Sequence, residues 1–175
     1  MKKNNKISSI FGYLALTTGS IWFGAYIARL VSTYQMYEET EPVFKTFINS
    51  TNLPAIVEIL EPLVYLTFIT YLIMIVCFTL FLFTSHLKLK ENGWLFIIAA
   101  IIYITLPFEA ILSIIDYKLI IFFMNGQFSS ETIVDLITDR LYSLSSFPII
   151  QILSYLSIPY LLIFKPLTLK SKDEN

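Results

Sequence analysis

The chain has 175 residues, of which 56% are hydrophobic and only 14% charged, and its formal net charge is −1. A soluble domain usually carries about 25% charged residues, and an apolar excess of this size would leave large exposed patches on a globular surface. The composition therefore predicts a single integral membrane domain. The sequence contains no basic patch, and this excludes nucleic acid as a partner.

The apolar residues are grouped into four long runs. A helix needs about 20 apolar residues to cross the hydrocarbon core of a bilayer, and a spanning strand would instead alternate in polarity. The runs that meet the helical length are residues 7–30, 63–83, 94–115 and 147–164. The second run can be extended back to Ala55 and the third forward to Phe123. The sequence thus predicts an all-α membrane protein, a four-helix transmembrane bundle, with an uncleaved first helix because no small-residue cleavage site follows it.

The distribution of lysine and arginine predicts the orientation. Cytoplasmic loops of membrane proteins carry the excess of these residues. The N-terminus, the second loop and the C-terminus hold eight of the twelve basic residues: Lys2, Lys3, Lys6, Lys88, Lys90, Lys165, Lys170 and Lys172. Both termini are therefore expected in the cytoplasm. A bias toward Lys, Asn and Ile favours a bacterial source, and hence the bacterial inner (plasma) membrane.

Short amphipathic surface helices are predicted on the outer side. The first is expected over residues 43–48, where Val43, Phe44, Phe47 and Ile48 recur one helical turn apart. The second follows Ser129 or Ser130, which can cap a helix start. Its apolar face comprises Ile133, Leu136, Ile137, Leu141 and Leu144.

Helix one carries small residues at a spacing that lets helix backbones approach closely. Ser20, Gly24 and Ala28 lie four residues apart, and Ala15 and Gly19 form a second pair. This small-xxx-small pattern is typical of helix–helix contacts in membranes. It predicts either packing against the other helices of the same chain or the interface of a homodimer.

Glu109 is the most informative residue for function. It lies fifteen residues after Trp94, which at 1.5 Å per residue is roughly 22 Å into a hydrocarbon core of about 30 Å. An ionised carboxylate there costs about 2.5 kcal/mol or more. Glu109 must therefore be protonated, paired with a cation, or open to a water-filled cavity.

Four further charges, Arg29, Glu58, Glu61 and Asp116, are predicted at similar or shallower depth in the outer half. One interpretation is structural: Arg29 pairs with Glu61 or Glu109, Asp116 lies at the interface, and the cluster sets helix register. The other is functional: the cluster lines an outward-facing cavity that binds a proton, a cation or a lipid headgroup. A transmembrane channel is not expected, because the inner half lacks polar residues.

The remaining chemistry-bearing residues are few. Cys77 and His86 are the only cysteine and histidine, and no nucleophile, phosphate-loop or zinc motif occurs. No catalytic residue, metal or cofactor is predicted. The leading hypothesis is a small, non-enzymatic multi-pass protein that acts by packing with membrane lipids, a membrane-protein partner or a second copy. The alternative is a small carrier or sensor that uses the cavity around Glu109.

Overall fold

Helices make up nearly all of the regular structure in the computed structural model, which describes residues 6–38, 43–49, 51–125, 130–143 and 147–169. The helices are α1 (Lys6–Tyr34), α2 (Leu53–Thr84), α3 (Gly93–Met124), α4 (Ser130–Tyr142) and α5 (Phe147–Phe164). Over these described ranges there is no strand beyond two isolated bridges. All helices except α4 are long and apolar enough to cross a membrane. The predicted all-α fold with four long apolar helices is confirmed.

Two of the long helices extend beyond the predicted apolar runs at the same end of the molecule. Helix α2 begins at Leu53 and α3 continues to Met124, which agrees with the longer predicted limits, Ala55 and Phe123, rather than with residues 63 and 115. Pro54 lies in the first turn of α2, where its missing N–H leaves no helical hydrogen bond unmade. The added turns remain helical because Val57 and Leu60 are buried in the core at this end.

Only one of the two surface helices is present. Helix α4 buries Ile133, Ile137 and Leu141 on one face, as predicted; Ser129 and Leu144 lie outside the described residues. The predicted helix over residues 43–48 is wrong. That segment pairs with the end of α1 instead, because Glu38 N–H donates to Val43 O (2.9 Å) and Lys45 N–H donates to Met36 O (3.0 Å).

Two apolar cores are stacked along the helix axes, and we name them inner and outer after the orientation that the lysine distribution predicts. The inner core surrounds Trp22, whose ring centroid lies 4.8–5.3 Å from those of Tyr26, Tyr71 and Tyr155. The outer core joins α2, α3 and α4. Buried polar side chains fall between the two cores on every long helix, and we call this set the polar layer: Arg29, Thr67, Thr70, Thr105, Glu109, Asp116 and Gln151.

The C-terminal segment is attached to the α2–α3 loop. Gly93 N–H donates to Leu167 O (3.0 Å), Leu169 N–H donates to Glu91 O (2.9 Å), and Lys165 Nζ lies 5.6 Å from the ring centroid of Trp94. Lys88 donates a 2.8 Å hydrogen bond to Glu91, which raises the pKa of Lys88 and favours its charged form. Basic residues from two distant parts of the chain therefore meet at one end of the helices.

The small residues of helix α1 divide between two faces. Ala15 is buried, and a Cβ added to Gly19 would lie 3.0 Å from Met74 Sδ of α2. Helix α1 therefore packs closely against α2 at the pair Ala15 and Gly19. Ser20, Gly24 and Ala28 are exposed. Among the described residues, no atom of another helix lies within 4 Å of a Cβ added to Gly24, so this stripe does not pack against the described helices. Packing inside the chain uses the neighbouring face, because that face carries Trp22 and Tyr26 into the inner core.

Candidate functional site: a buried polar layer and an adjoining cavity

One carboxylate in the polar layer lies between two guanidinium groups. Arg29 Nη2 donates to Asp116 Oδ1 at 2.6 Å, and Arg140 Nε lies 2.8 Å from the same oxygen. Arg29 Nη1 also donates to Thr67 Oγ1 at 3.3 Å. The Arg140 contact is an ion pair rather than a hydrogen bond, since its N–H does not meet hydrogen-bond geometry. Helices α1, α3 and α4 thus converge on Asp116.

These three charges are largely shielded from the exterior. The side chains of Arg29, Asp116 and Arg140 are 8%, 5% and 13% exposed. Buried ions are tolerated only where opposite charges and hydrogen bonds replace water. The contact among these three residues therefore carries one excess positive charge, which nearby Glu109 balances when it is ionised.

The structure rearranges the predicted charge cluster. The expected pairing of Arg29 with Glu61 or Glu109 is wrong, because its partner is Asp116. Asp116 is itself buried rather than interfacial. Glu58 is exposed and Glu61 half-buried; neither belongs to the buried layer. Glu58 and Glu61 each follow an inward residue, Val57 and Leu60, by one position. Because one residue turns a side chain about 100° around the helix, both glutamates point away from the core.

Glu109 faces a second buried polar side chain, Gln151 of α5. Glu109 is 3% exposed and Gln151 is 0% exposed, and the two side chains lie next to each other. Among the described residues, no hydrogen-bond partner is present for Glu109 Oε1 or for Gln151 Nε2 and Oε1. Buried polar atoms in native proteins are nearly always paired, so these two neighbouring side chains are candidates for a hydrogen bond to each other.

Two site residues, Arg140 and Gln151, were not part of the predicted cluster. Gln151 is a polar amide within the apolar run of α5. A polar residue inside a spanning run could have identified it from the sequence, as the charge of Glu109 did. Arg140 gives a weaker signal. It is polar and lies on a surface helix, and only the packing of Ile137 and Leu141 against the outer core carries it inward.

A cavity adjoins the polar layer on the side of the outer core. Its volume is about 50 Å³, which is room for more than one water molecule. In the part of the chain that the structure describes, the lining includes Arg29, Arg140, Tyr26 and Thr33 and no acidic residue; the remaining lining residues are apolar. Thr33 is half-buried, so this edge of the cavity reaches the surface.

The lining has a clear chemical preference. A guanidinium has five N–H donors and no acceptor, and Arg29 uses two of its nitrogens on Asp116 and Thr67. The remaining donors suit an anion with several oxygens. Within the described ranges, no group of three or more His, Cys, Asp or Glu residues could hold a metal ion.

No family model matches the chain, and neither a curated protein nor a solved structure matches it. Function is therefore inferred from the polar layer and the cavity.

Proposed function

We propose that the chain is a non-enzymatic, four-span protein of the bacterial inner membrane, with both termini in the cytoplasm, that carries or senses a lipid with an anionic headgroup. The observation that supports this function most strongly is the composition of the cavity lining. Over the described residues, it presents two arginines without a carboxylate, on an otherwise mostly apolar wall.

The membrane location is supported by the lengths of the helices and by the placement of charge. Four helices have the length and hydropathy to span a bilayer. Lys88 and Lys165 lie at the end where the C-terminal segment meets the α2–α3 loop. An excess of lysine is characteristic of the cytoplasmic side, so the polar layer and its cavity belong to the outer half of the membrane.

The charge of the cavity lining favours a phosphate-bearing lipid over a cation. A cation would be repelled by Arg29 and Arg140. Planar guanidinium groups bind phosphate oxygens in bidentate fashion, and the apolar wall suits the first methylenes of an acyl chain. The inner core is built from aromatic and aliphatic side chains such as Trp22 and Ile102, which favours binding from the outer half over conduction through the protein.

A second candidate function is assembly with another membrane protein or a second copy. The exposed small residues Ser20, Gly24 and Ala28 favour it, because a face of this kind permits close helix approach. Such an assembly is compatible with lipid binding, since the stripe and the cavity use different residues.

Native mass spectrometry of the purified chain in a neutral detergent tests lipid binding. Phosphatidylglycerol and phosphatidylcholine are titrated separately into the wild type, Arg140→Met and Lys118→Met. Arg140→Met removes one cavity cation and leaves Arg29 paired with Asp116. Lys118 is exposed on α3, so the same substitution there controls for general attraction of anionic lipid.

We expect phosphatidylglycerol to bind the wild type and Lys118→Met equally, and Arg140→Met about tenfold more weakly. That ratio corresponds to one charged hydrogen bond of roughly 1.5 kcal/mol. Inorganic phosphate is tested as a competitor. If it displaces the lipid at low concentration, the ligand is a free anion rather than a lipid. Equal binding of both lipids, or no effect of Arg140→Met, overturns the proposed function.

A further inference from the structure

We infer that Glu109 is the binding site of a proton that is taken up together with the anionic ligand and released with it. This inference rests on the proposed function, because it requires an anion beside Arg29 and Arg140. It assigns a role to the one buried carboxylate that the ion-pair network does not use.

The first argument is the charge balance of the polar layer. Without ligand, the cations Arg29 and Arg140 are matched by the anions Asp116 and Glu109. Addition of one phosphodiester leaves this buried group with one excess negative charge, and an uncompensated charge in a low-dielectric interior is strongly disfavoured. Uptake of one proton from the surrounding water restores neutrality.

The second argument is which carboxylate accepts that proton. Asp116 contacts both guanidinium groups, at 2.6 and 2.8 Å, so a proton on that carboxylate would remove the anionic partner of two buried cations. Glu109 has no ion-pair contact within 4 Å in the described part of the chain, and its Oε1 has no hydrogen-bond partner there. The proton therefore binds to a Glu109 oxygen.

The third argument is the complementarity of Glu109 and Gln151. A carboxylate only accepts hydrogen bonds, whereas a protonated carboxyl group also donates one. Protonated Glu109 can donate to Gln151 Oε1 while it accepts from Gln151 Nε2. That pairing satisfies all three polar atoms that otherwise have no partner in the described structure. Ionised Glu109 would leave Gln151 Oε1 without a donor.

The groups that face Glu109 come from every packed helix. Arg29 and Tyr26 lie on α1, Tyr71 on α2, Asp116 on α3, Arg140 on α4 and Tyr155 on α5. Of these residue types, only carboxylic acids ordinarily change charge between acidic and neutral pH. Glu109 is thus the member of this set that can change charge when an anion binds.

Affinity for phosphatidylglycerol measured as a function of pH tests the inference. The phosphodiester keeps its single charge between about pH 5 and pH 8, the range over which a buried carboxyl group can titrate. For the wild type we expect tighter binding as the pH falls, approaching about tenfold per pH unit for one coupled proton. Glu109→Gln mimics the protonated state, so it should bind tightly and without pH dependence. Glu58→Gln, an exposed change on α2, should keep the wild-type profile.

A second measurement avoids the need for a folded variant. Infrared difference spectra of the wild type, with and without phosphatidylglycerol, should show a new carbonyl band of a protonated carboxyl group on binding. A pH profile that persists in Glu109→Gln, or a wild-type affinity that does not vary with pH and no new band, overturns the proton site. In those cases a loss of binding in Arg140→Met would still support the proposed function, so the two failures are distinguishable.

Discussion

Arg29 Nη2 lies 2.6 Å from Asp116 Oδ1 and thereby joins α1 to α3 across 87 residues of sequence. Arg140 brings α4 to the same oxygen. This three-residue contact explains how a short amphipathic helix comes to be fixed at one end of four apolar ones. It also places two cations at the wall of the cavity.

Removal of the shared carboxylate should strongly destabilise the fold. Asp116→Ala leaves two buried guanidinium groups without a counterion, and loss of one partner of a buried pair typically costs about 3–5 kcal/mol. Exposed Glu58→Ala should change the free energy of unfolding by less than about 0.5 kcal/mol. Unfolding in mixed detergent can be followed by the reactivity of buried Cys77. Equal stability of the two variants would show that the ion pairs do not hold α4 and the bundle together.

The attachment of the C-terminal segment should depend on Gly93. A Cβ at this position would lie 2.6 Å from Leu167 Cβ, closer than atoms can approach without a shift of the backbone. Gly93→Ala should therefore weaken the contacts of Leu167 and Leu169 with the loop and increase cleavage of that segment by proteinase K. Gly24→Ala, where a Cβ meets nothing within 4 Å, is the matched control. Cleavage at the same rate in both variants would contradict the importance of this contact.

The orientation can be tested with two single cysteines in a Cys77→Ala background. Thr46→Cys lies in the α1–α2 loop and Lys90→Cys in the α2–α3 loop, and both positions are exposed. A membrane-impermeant maleimide applied to intact cells, after the outer membrane is made permeable, should label Thr46→Cys alone. Lys90→Cys should react only after the inner membrane is disrupted. The opposite pattern would invert the topology and place the cavity on the cytoplasmic side.

The sequence predicted the apolar helices well because their signal is local. A run of about 20 apolar residues is sufficient to identify a spanning helix. The sequence predicted two possible starts for α2, near Ala55 and at residue 63, because Glu58, Glu61 and Pro62 interrupt its apolar run. Their side chains point away from the core, while Val57 and Leu60 on the same turns are buried. Helix ends that depend on tertiary packing cannot be read from composition alone.

The candidate site was only partly predictable for a similar reason. Glu109 and Asp116 were identified because charge within a spanning helix is costly and must be compensated. The partner of Arg29 could not be chosen among several acidic residues, since the choice depends on how α1 and α3 are rotated. The position of Arg140 depends on how α4 packs against the outer core, which is a tertiary property.

The two glycines of α1 should respond differently to the same substitution. Gly19→Leu would force a side chain against Met74, since even a Cβ lies 3.0 Å from its sulfur, and overpacking of this kind typically costs about 1–3 kcal/mol. Gly24→Leu points outward and should leave the free energy of unfolding unchanged. If both variants are equally stable, α1 does not pack on α2 through Gly19.

The exposed stripe on α1 can be examined with the same Gly24→Leu change. If a second copy packs on Ser20, Gly24 and Ala28, then Ser20→Cys in a Cys77→Ala background should form an intermolecular disulfide, because such a bond requires Cα atoms within about 7 Å. Gly24→Leu should then abolish the disulfide, since a leucine would separate helix backbones that only a glycine allows to touch. An exposed control, Ile7→Cys, near the start of the same helix and turned about 100° from Gly24, should not cross-link. Absence of cross-linking at Ser20 would indicate that this face contacts lipid, and it would contradict the homodimer hypothesis.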